Sequence, residues 1–319
     1  MRAESVRPGT LGTARHTALA CGWPSECSSR RLNPERAATP RTLDQIGYAA
    51  EHLEAIRRAI RAPDGLVLIV GPTRSGRRTA LYSMLEELDA SRRAVHTIES
   101  SLLRPVSCWR QSRVPIRRCR CDARGWQRAL ARALRSAAAT ILIEKIEAVA
   151  PPAIQAAQAG HLVLSTMAVG RACSAIAELR RLHVTTTQII DALSLVIGHR
   201  LIAGLCADCS MPDDREPVRQ ALAAALNTWL HGHVARPRRA SPAGCAHCGQ
   251  TGHAGPVLIY ELLDIDARAR GLIASSHDPV ELEHGLLAEG SSIWDCGLRR
   301  VADGVASFDA LLAGVRQPH

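Results

Sequence analysis

Apolar residues fall along this chain in two rhythms. Over residues 43–61, Leu43, Ile46, Leu53, Ile56 and Ile60 recur at helical intervals and Pro63 follows as a stop, which predicts a helix. Directly after it, Leu66-Val-Leu-Ile-Val70 is an unbroken apolar run, the pattern of a central parallel strand covered on both faces. The alternation continues with helices expected over 78–88 and 126–138 and strands over 94–98, 140–143 and 161–165. An amphipathic helix is expected over 187–202, and another helix over 216–230. Strands alternating with helices predict an α/β fold with a parallel sheet and crossover helices. Residues 104–124 are arginine-rich and contain two prolines, which predicts a loop or hairpin. Residues 1–42 carry Pro, Arg, Ser and Gly without either period and read as a poorly ordered basic leader.

The apolar run at 66–70 opens into Gly71-Pro-Thr-Arg-Ser-Gly76, which has the G-x-x-x-x-G spacing of a phosphate-binding loop. Glycines there let backbone N–H groups close around phosphates, and the following helix presents its positive dipole end. The candidate nucleotide-binding residues are Gly71, Pro72, Thr73, Arg74, Ser75, Gly76, Arg77, Arg78 and Thr79. After Gly76 the pattern departs from G-K-[ST]. Arg77 stands where Lys should reach the phosphates, and Arg78 where a hydroxyl should hold Mg²⁺.

Composition narrows the class. A hydrophobic share of 46% and a charged share of 22% are those of a globular protein. No apolar run reaches the ~18 residues of a membrane span, and no apolar stretch follows the charged start as in a signal peptide, so the expectation is a cytoplasmic protein. The formal charge is +10, yet aromatic residues make up only 3%, which leaves few platforms for stacking bases. Nucleic acid is therefore not expected as a partner. Lys145 is the single lysine, so the basic balance is a matter of arginine.

Eleven cysteines in such a chain point to metal before disulfides. Cys206-Ala-Asp-Cys209 and Cys245-Ala-His-Cys248 are two C-x-x-C pairs, each able to clamp one edge of a tetrahedral ion. Together they close a four-sulfur structural zinc site from which the intervening segment projects, and His247 is a bystander. Cys108, Cys119 and Cys121 have no standard zinc spacing, and Cys21 and Cys27 read as incidental thiols.

The flanks of the loop carry a resemblance. Gly65-Leu-Val-Leu-Ile-Val-Gly-Pro-Thr, Leu81-Tyr82 and Val95-His-Thr-Ile-Glu99 resemble the secretion ATPases of type II secretion and type IV pilus assembly. So do the segments 154–166, His199-Arg-Leu-Ile-Ala-Gly-Leu-Cys206, 244–253 and Ile259-Tyr-Glu-Leu-Leu263, in the same order. The resemblance implies a RecA-like core over 43–205, a tetracysteine zinc insertion over 206–255 and a C-terminal helical region over 256–319. It also implies ATP and Mg²⁺ as cofactors, a hexameric ring of one chain or shared with an active paralogue, and an inner-membrane platform protein as partner. No small molecule other than nucleotide is expected.

Against that family pattern, the departures fall on the chemistry. The water-orienting Glu of the acidic strand is replaced by Lys145 and the following Asp by Ala148. Glu144, one step earlier, is expected on the wrong face by strand alternation. Thr97-Ile-Glu99-Ser-Ser101 keeps Glu99 of the family's Thr-Ile-Glu-Asp-Pro, and Gly160-His161 keeps one histidine while Ala168 stands where a second belongs. Glu99 and His161 are thus the remaining catalytic candidates. Thr79 falls one step late for Mg²⁺, because Leu81 and Tyr82 fix the register. Loss of the lysine or of the acid would each cost on the order of 10²–10³ in rate. The family's N-terminal domain, which covers the nucleotide and supplies arginines, has no counterpart expected before Leu43. The expectation is impaired hydrolysis with weak nucleotide binding, with Mg²⁺ doubtful. Its rivals are a slow Mg-ATPase with Arg77 serving for Lys, and a non-catalytic zinc-stabilised scaffold.

Overall fold

The computed structural model describes residues 41–88, 93–115 and 123–315. The leader, apart from residues 41 and 42, and the cysteines Cys21, Cys27, Cys119 and Cys121 lie outside the described residues. In chain order the elements are α1 (Ala50–Arg61), β1 (Gly65–Val70), α2 (Arg77–Glu87), β2 (Val95–Glu99), β3 (Arg110–Arg113), α3 (Ala123–Arg135), β4 (Thr140–Ile143), α4 (Ala150–Gln158), β5 (Leu162–Met167), α5 (Ser174–Arg181), α6 (Thr186–Ala192) and β6 (Leu193–Leu205). There follow β7 (Met211–Pro212), α7 (Glu216–Asn227), β8 (Arg238–Arg239), β9 (His253–Asp264), α8 (Ala267–Ser275), α9 (Pro279–Leu286), α10 (Ile293–Ala302) and α11 (Phe308–Gly314).

Seven strands form one sheet in the order β3-β2-β4-β5-β1-β6-β9, parallel throughout except for β9. β1 lies near its centre and is buried along its whole length. Side chains alternate across a strand. Leu66, Leu68 and Val70 therefore enter one core with α3, α4, α5, α6 and α8, while Val67 and Ile69 enter the opposite core with α1 and α2. A third core forms where Ile202 and Ile259, on the outer halves of β6 and β9, meet α7, α10 and α11. This is the α/β architecture with a mostly parallel sheet that the sequence predicts. Among the described residues no helix is long and apolar enough to cross a membrane.

Four local expectations are corrected. The helix expected over 187–202 is helical only as α6, which gives way to β6 at Leu193. From there Leu193-Ser-Leu-Val-Ile-Gly198 is inserted between β1 and β9, and a short apolar run reads alike in a helix and a buried strand until its neighbours are known. The helix expected from Leu43 is a short 3-10 turn, Leu43–Gln45, and α1 starts only at Ala50. Between them Gly47 has φ +102°, a left-handed conformation that ends a helix. The loop or hairpin expected over 104–124 contains β3, which adds to the sheet edge in parallel with β2, Thr97 opposite Gln111. The region from 256 onwards opens as a strand, since β9 runs to Asp264 before the helices begin.

β6 is long enough to serve two neighbours. It pairs with β1 through Gly198 and continues beside β9 to the pair Leu205 and His253. Ile197, fully buried in the middle of this strand, fills the α1 and α2 core. We expect Ile197→Ala to lower the unfolding free energy by about 2–5 kcal/mol. Urea titration should show a lower midpoint with an unchanged slope.

Candidate functional site

The loop of residues 71–76 leaves the C-terminal end of β1. Gly71 has φ +149° and its N–H donates to the Met167 carbonyl at 3.3 Å. A Cβ on Gly71 would lie 2.3 Å from the His199 carbonyl oxygen, so the loop passes β6 with no room for a side chain. Arg74 takes the left-handed conformation at φ +67°, and Gly76 does so at φ +86° as the N-cap of α2. Pro72, Thr73 and Arg74 are exposed, whereas Ser75 is buried. No side chain caps α2, so its first-turn N–H groups keep the polarity that favours an anion.

The two arginines that follow are engaged by groups of the protein itself. Arg77 Nη1 donates to the Met167 carbonyl at 2.6 Å, and burial lowers its pKa from the usual guanidinium value. Arg78 lies over the acidic strands. Its Nη2 is 3.0 Å from Glu99 Oε2 and donates to the Ser101 carbonyl, while its Nη1 is 3.7 Å from Glu144 Oε1. Glu99 is fully buried and also accepts from Tyr82 Oη at 2.8 Å and Thr97 Oγ1 at 2.7 Å. Burial and the neighbouring Glu99 carboxylate raise the Tyr82 phenol well above its ordinary value. Thr79 lies on the first turn of α2, where its carbonyl accepts from Ser83 Oγ at 3.0 Å.

Glu144 corrects a further expectation. It does not point to the opposite face: its Oε2 accepts from Ser100 Oγ at 2.6 Å, and it shares Arg78 with Glu99. β4 ends at Ile143 and a 3-10 turn, Ile146–Ala148, follows, so strand alternation no longer applies at residue 144. Lys145 is exposed at the N-cap of that turn, and Glu147 accepts the Ala168 N–H at 2.7 Å. His161 is not brought to the loop. It precedes β5, where its carbonyl accepts from Gly65 N at 3.2 Å and its Nδ1 is 2.8 Å from the Ala138 carbonyl oxygen. Gly65 starts β1 and the loop follows its end, about 20 Å away at the ~3.3 Å rise of a strand.

Behind the loop lies an aromatic group that motif reading had not selected. His199 on β6 bonds through Nε2 to Tyr48 Oη, and Tyr48 packs edge-on against Tyr260 with ring centroids 5.0 Å apart. Tyr260 Oη in turn accepts from Ala49 N at 2.8 Å and bonds His52 Nδ1 at 2.7 Å. Burial, with the Arg77 charge adding to it, pushes His199 from 6.5 down to about 3. The histidine is therefore a neutral packing element beneath the loop.

The four cysteines meet at the tip of the ribbon formed by β6 and β9. Cys206 follows β6 directly, and its N–H donates to the Gly252 carbonyl at 3.0 Å, one residue before β9. All four sulfurs lie within 4.8 Å of one another, with Cys206 to Cys245 at 3.7 Å, Cys209 to Cys248 at 3.8 Å and Cys245 to Cys248 at 3.7 Å. A tetrahedral ion with metal–sulfur bonds of ~2.3 Å sets its sulfurs about 3.8 Å apart. The donor set thus fits a metal ion. Burial works to raise the Cys248 thiol, but N–H donation from Cys245 and Gly252, both at 3.2 Å, prevails and holds it down to about 6. His247 is outside the cluster and pairs with Asp208 at 3.4 Å.

A glycine loop running from a buried central strand into a helix defines an α/β protein of the phosphate-loop class. Within it the chain belongs to the type II/IV secretion system protein family, whose model matches residues 9–313. The type II secretion system protein E of Pectobacterium carotovorum subsp. carotovorum is 30% identical over 273 residues, covering 85% of this chain and 52% of that protein. The chain spans about half the length of the curated relatives it matches. The Legionella pneumophila ATPase DotB superposes with a TM-score of 0.57 at 20% identity, over 86% of this chain and 65% of its own. The pilus retraction motor PilT, solved with bound ADP, also gives 0.57 at 19% identity, over 88% of this chain and 68% of its own. These two likenesses are of fold.

Because His199 titrates near 6.5 when unfolded and near 3 when folded, the unfolded chain binds the extra proton between those values. Its contribution is complete above pH 6.5 and is lost as pH falls towards 3, with a slope of up to about 1.4 kcal/mol per pH unit. Urea midpoints measured at pH 7 and pH 4.5 should differ less in His199→Gln than in the wild type.

Proposed function

We propose that this chain is a subunit of a type II secretion or type IV pilus assembly machine that keeps the family's nucleotide fold with little or no hydrolysis of ATP. The observation that carries this reading is Arg78. It stands where a hydroxyl would hold Mg²⁺, and it occupies both acidic residues of the neighbouring strands, Glu99 and Glu144. Arg77 adds to it, since its guanidinium is bonded to the Met167 carbonyl and not extended over the loop. Lys145 places a positive charge where the family's pattern puts a water-orienting carboxylate. The backbone cradle of residues 71–76 still suits a phosphate, so weak nucleotide binding is retained. The residues that should hold Mg²⁺ do not fit it, and no step is assigned to that ion.

The chain's work then lies in assembly. It joins a ring with its own copies or with an active paralogue, at the cytoplasmic face of an inner-membrane platform protein. The relatives' names support this setting, as does the match to the secretion family along nearly the whole chain. In the cysteine cluster we place a structural Zn²⁺ ligated by Cys206, Cys209, Cys245 and Cys248, closing the ribbon and the segment between the two pairs. Four thiolates leave such an ion no open position, so its role is to hold the fold.

Purified protein assayed with ATP and Mg²⁺ should release phosphate at no more than the blank rate, and Glu99→Gln should change nothing. Mg²⁺-dependent turnover that disappears in Glu99→Gln would overturn the reading in favour of a slow ATPase. Sedimentation at high protein concentration should show species larger than a monomer, and a monomer throughout would remove the ring. Metal analysis should find about one zinc per chain, as expected of a four-thiolate site. Cys206→Ser should lose that zinc and lower the melting temperature.

A further inference from the structure

Arg78 does more than occupy space. Two carboxylates brought together away from water hold their charges only with a cation between them. In Glu99 and Glu144 the chain has such a pair, fully buried in the first case and 10% exposed at the side chain in the second. The guanidinium supplies the cation from the first turn of α2. One nitrogen is 3.0 Å from Glu99 and the other 3.7 Å from Glu144, and Ser101 receives both, its Oγ at 3.4 Å from Nη1 and its carbonyl from Nη2. The side chain is 29% exposed, so the pair is closed off from water on one side only by the guanidinium itself. Its buried Nε–H has no acceptor among the described residues, so one donor of the fork is unspent.

We propose that Arg78 is a resident cation in the place of the divalent metal, so that this loop takes the phosphates of a nucleotide free of metal. The inference rests on the nucleotide reading of the loop given above, and its cation half can be tested apart from it. A guanidinium cannot dissociate or exchange, and its charge repels a second cation from the same two carboxylates. Arg78 thus leaves no free pair of carboxylates for a divalent ion at the end of the loop, and a bound polyphosphate enters without one.

The experiment uses the full chain, zinc-loaded, with ATP as ligand and Mn²⁺ as a spectroscopic probe. For the wild type we expect the ATP-induced rise in melting temperature to be as large in buffer without added divalent metal as in excess Mg²⁺, and no Mn²⁺ to be bound. Arg78→Thr restores a hydroxyl and bares the two carboxylates. It should bind one Mn²⁺ per chain and recover with Mn²⁺ the melting temperature it loses relative to the wild type in buffer without added divalent metal. Its apparent affinity for ATP should become dependent on the metal by about tenfold or more. Arg78→Lys, which keeps the charge, should remain indifferent to metal. A wild-type ATP shift that requires Mg²⁺, or Mn²⁺ bound by the wild type, overturns the proposal and leaves nucleotide binding standing. If ATP shifts nothing under either condition the nucleotide reading fails, and Mn²⁺ binding by Arg78→Thr then still upholds the cation substitution, whereas its absence overturns it. Should Arg78→Thr not fold, the wild-type comparisons decide alone: an ATP shift that needs no added metal with no Mn²⁺ bound upholds the proposal, and Mn²⁺ bound by the wild type overturns it.

Discussion

The pairing of β6 with two different partners is the constraint on which the rest of this structure depends. On one side its first half completes the parallel ladder beside β1, and on the other its full length runs antiparallel to β9. A strand held from both sides cannot slip, because a shift of one residue would turn every side chain to the other face. The same strand therefore fixes three things at once. It sets the His199 carbonyl against the phosphate loop, it places Tyr48 and Tyr260 in one packed group, and it delivers Cys206 to the second cysteine pair. Glu261 on β9 extends the tie, accepting from the N–H of Ala172 beyond β5 and that of Ile293 at the start of α10.

The charge arrangement at the loop follows from this rigidity. Loop and acidic strands stand at fixed separation, so what α2 carries at its first turn decides which ion neutralises them. A short hydroxyl there would leave Glu99 and Glu144 to a solvent-borne cation. A long guanidinium reaches them directly and ties α2 to the ends of β2 and β4. The cost of removing one member of such a buried group is large, because the remaining charges are left unpaired.

Much of this was legible in the sequence because it was encoded locally. The run Leu66 to Val70 and the glycine spacing predicted a buried strand opening into a loop, and the two C-x-x-C pairs announced a cluster that the ribbon assembles. What was not legible depended on distant partners. β6 looked helical because nothing near it in sequence reveals that β1 and β9 flank it. Glu144 was assigned to the wrong face because the alternation rule was carried one residue beyond the end of β4. His161 was a candidate through its neighbours in sequence, yet it sits at the other end of the sheet from the loop. The group of Tyr48, His199 and Tyr260 joins residues far apart along the chain, and no spacing could have suggested it.

Gly71 carries a lesson about how such chains drift. Its lack of a side chain is demanded by the backbone of β6, whose carbonyl leaves no space for a Cβ. A mutation that abolishes phosphate chemistry relaxes the pressure on the lysine and hydroxyl positions but not on this glycine. The sheet alone therefore holds Gly71 in place, whatever residues follow the loop.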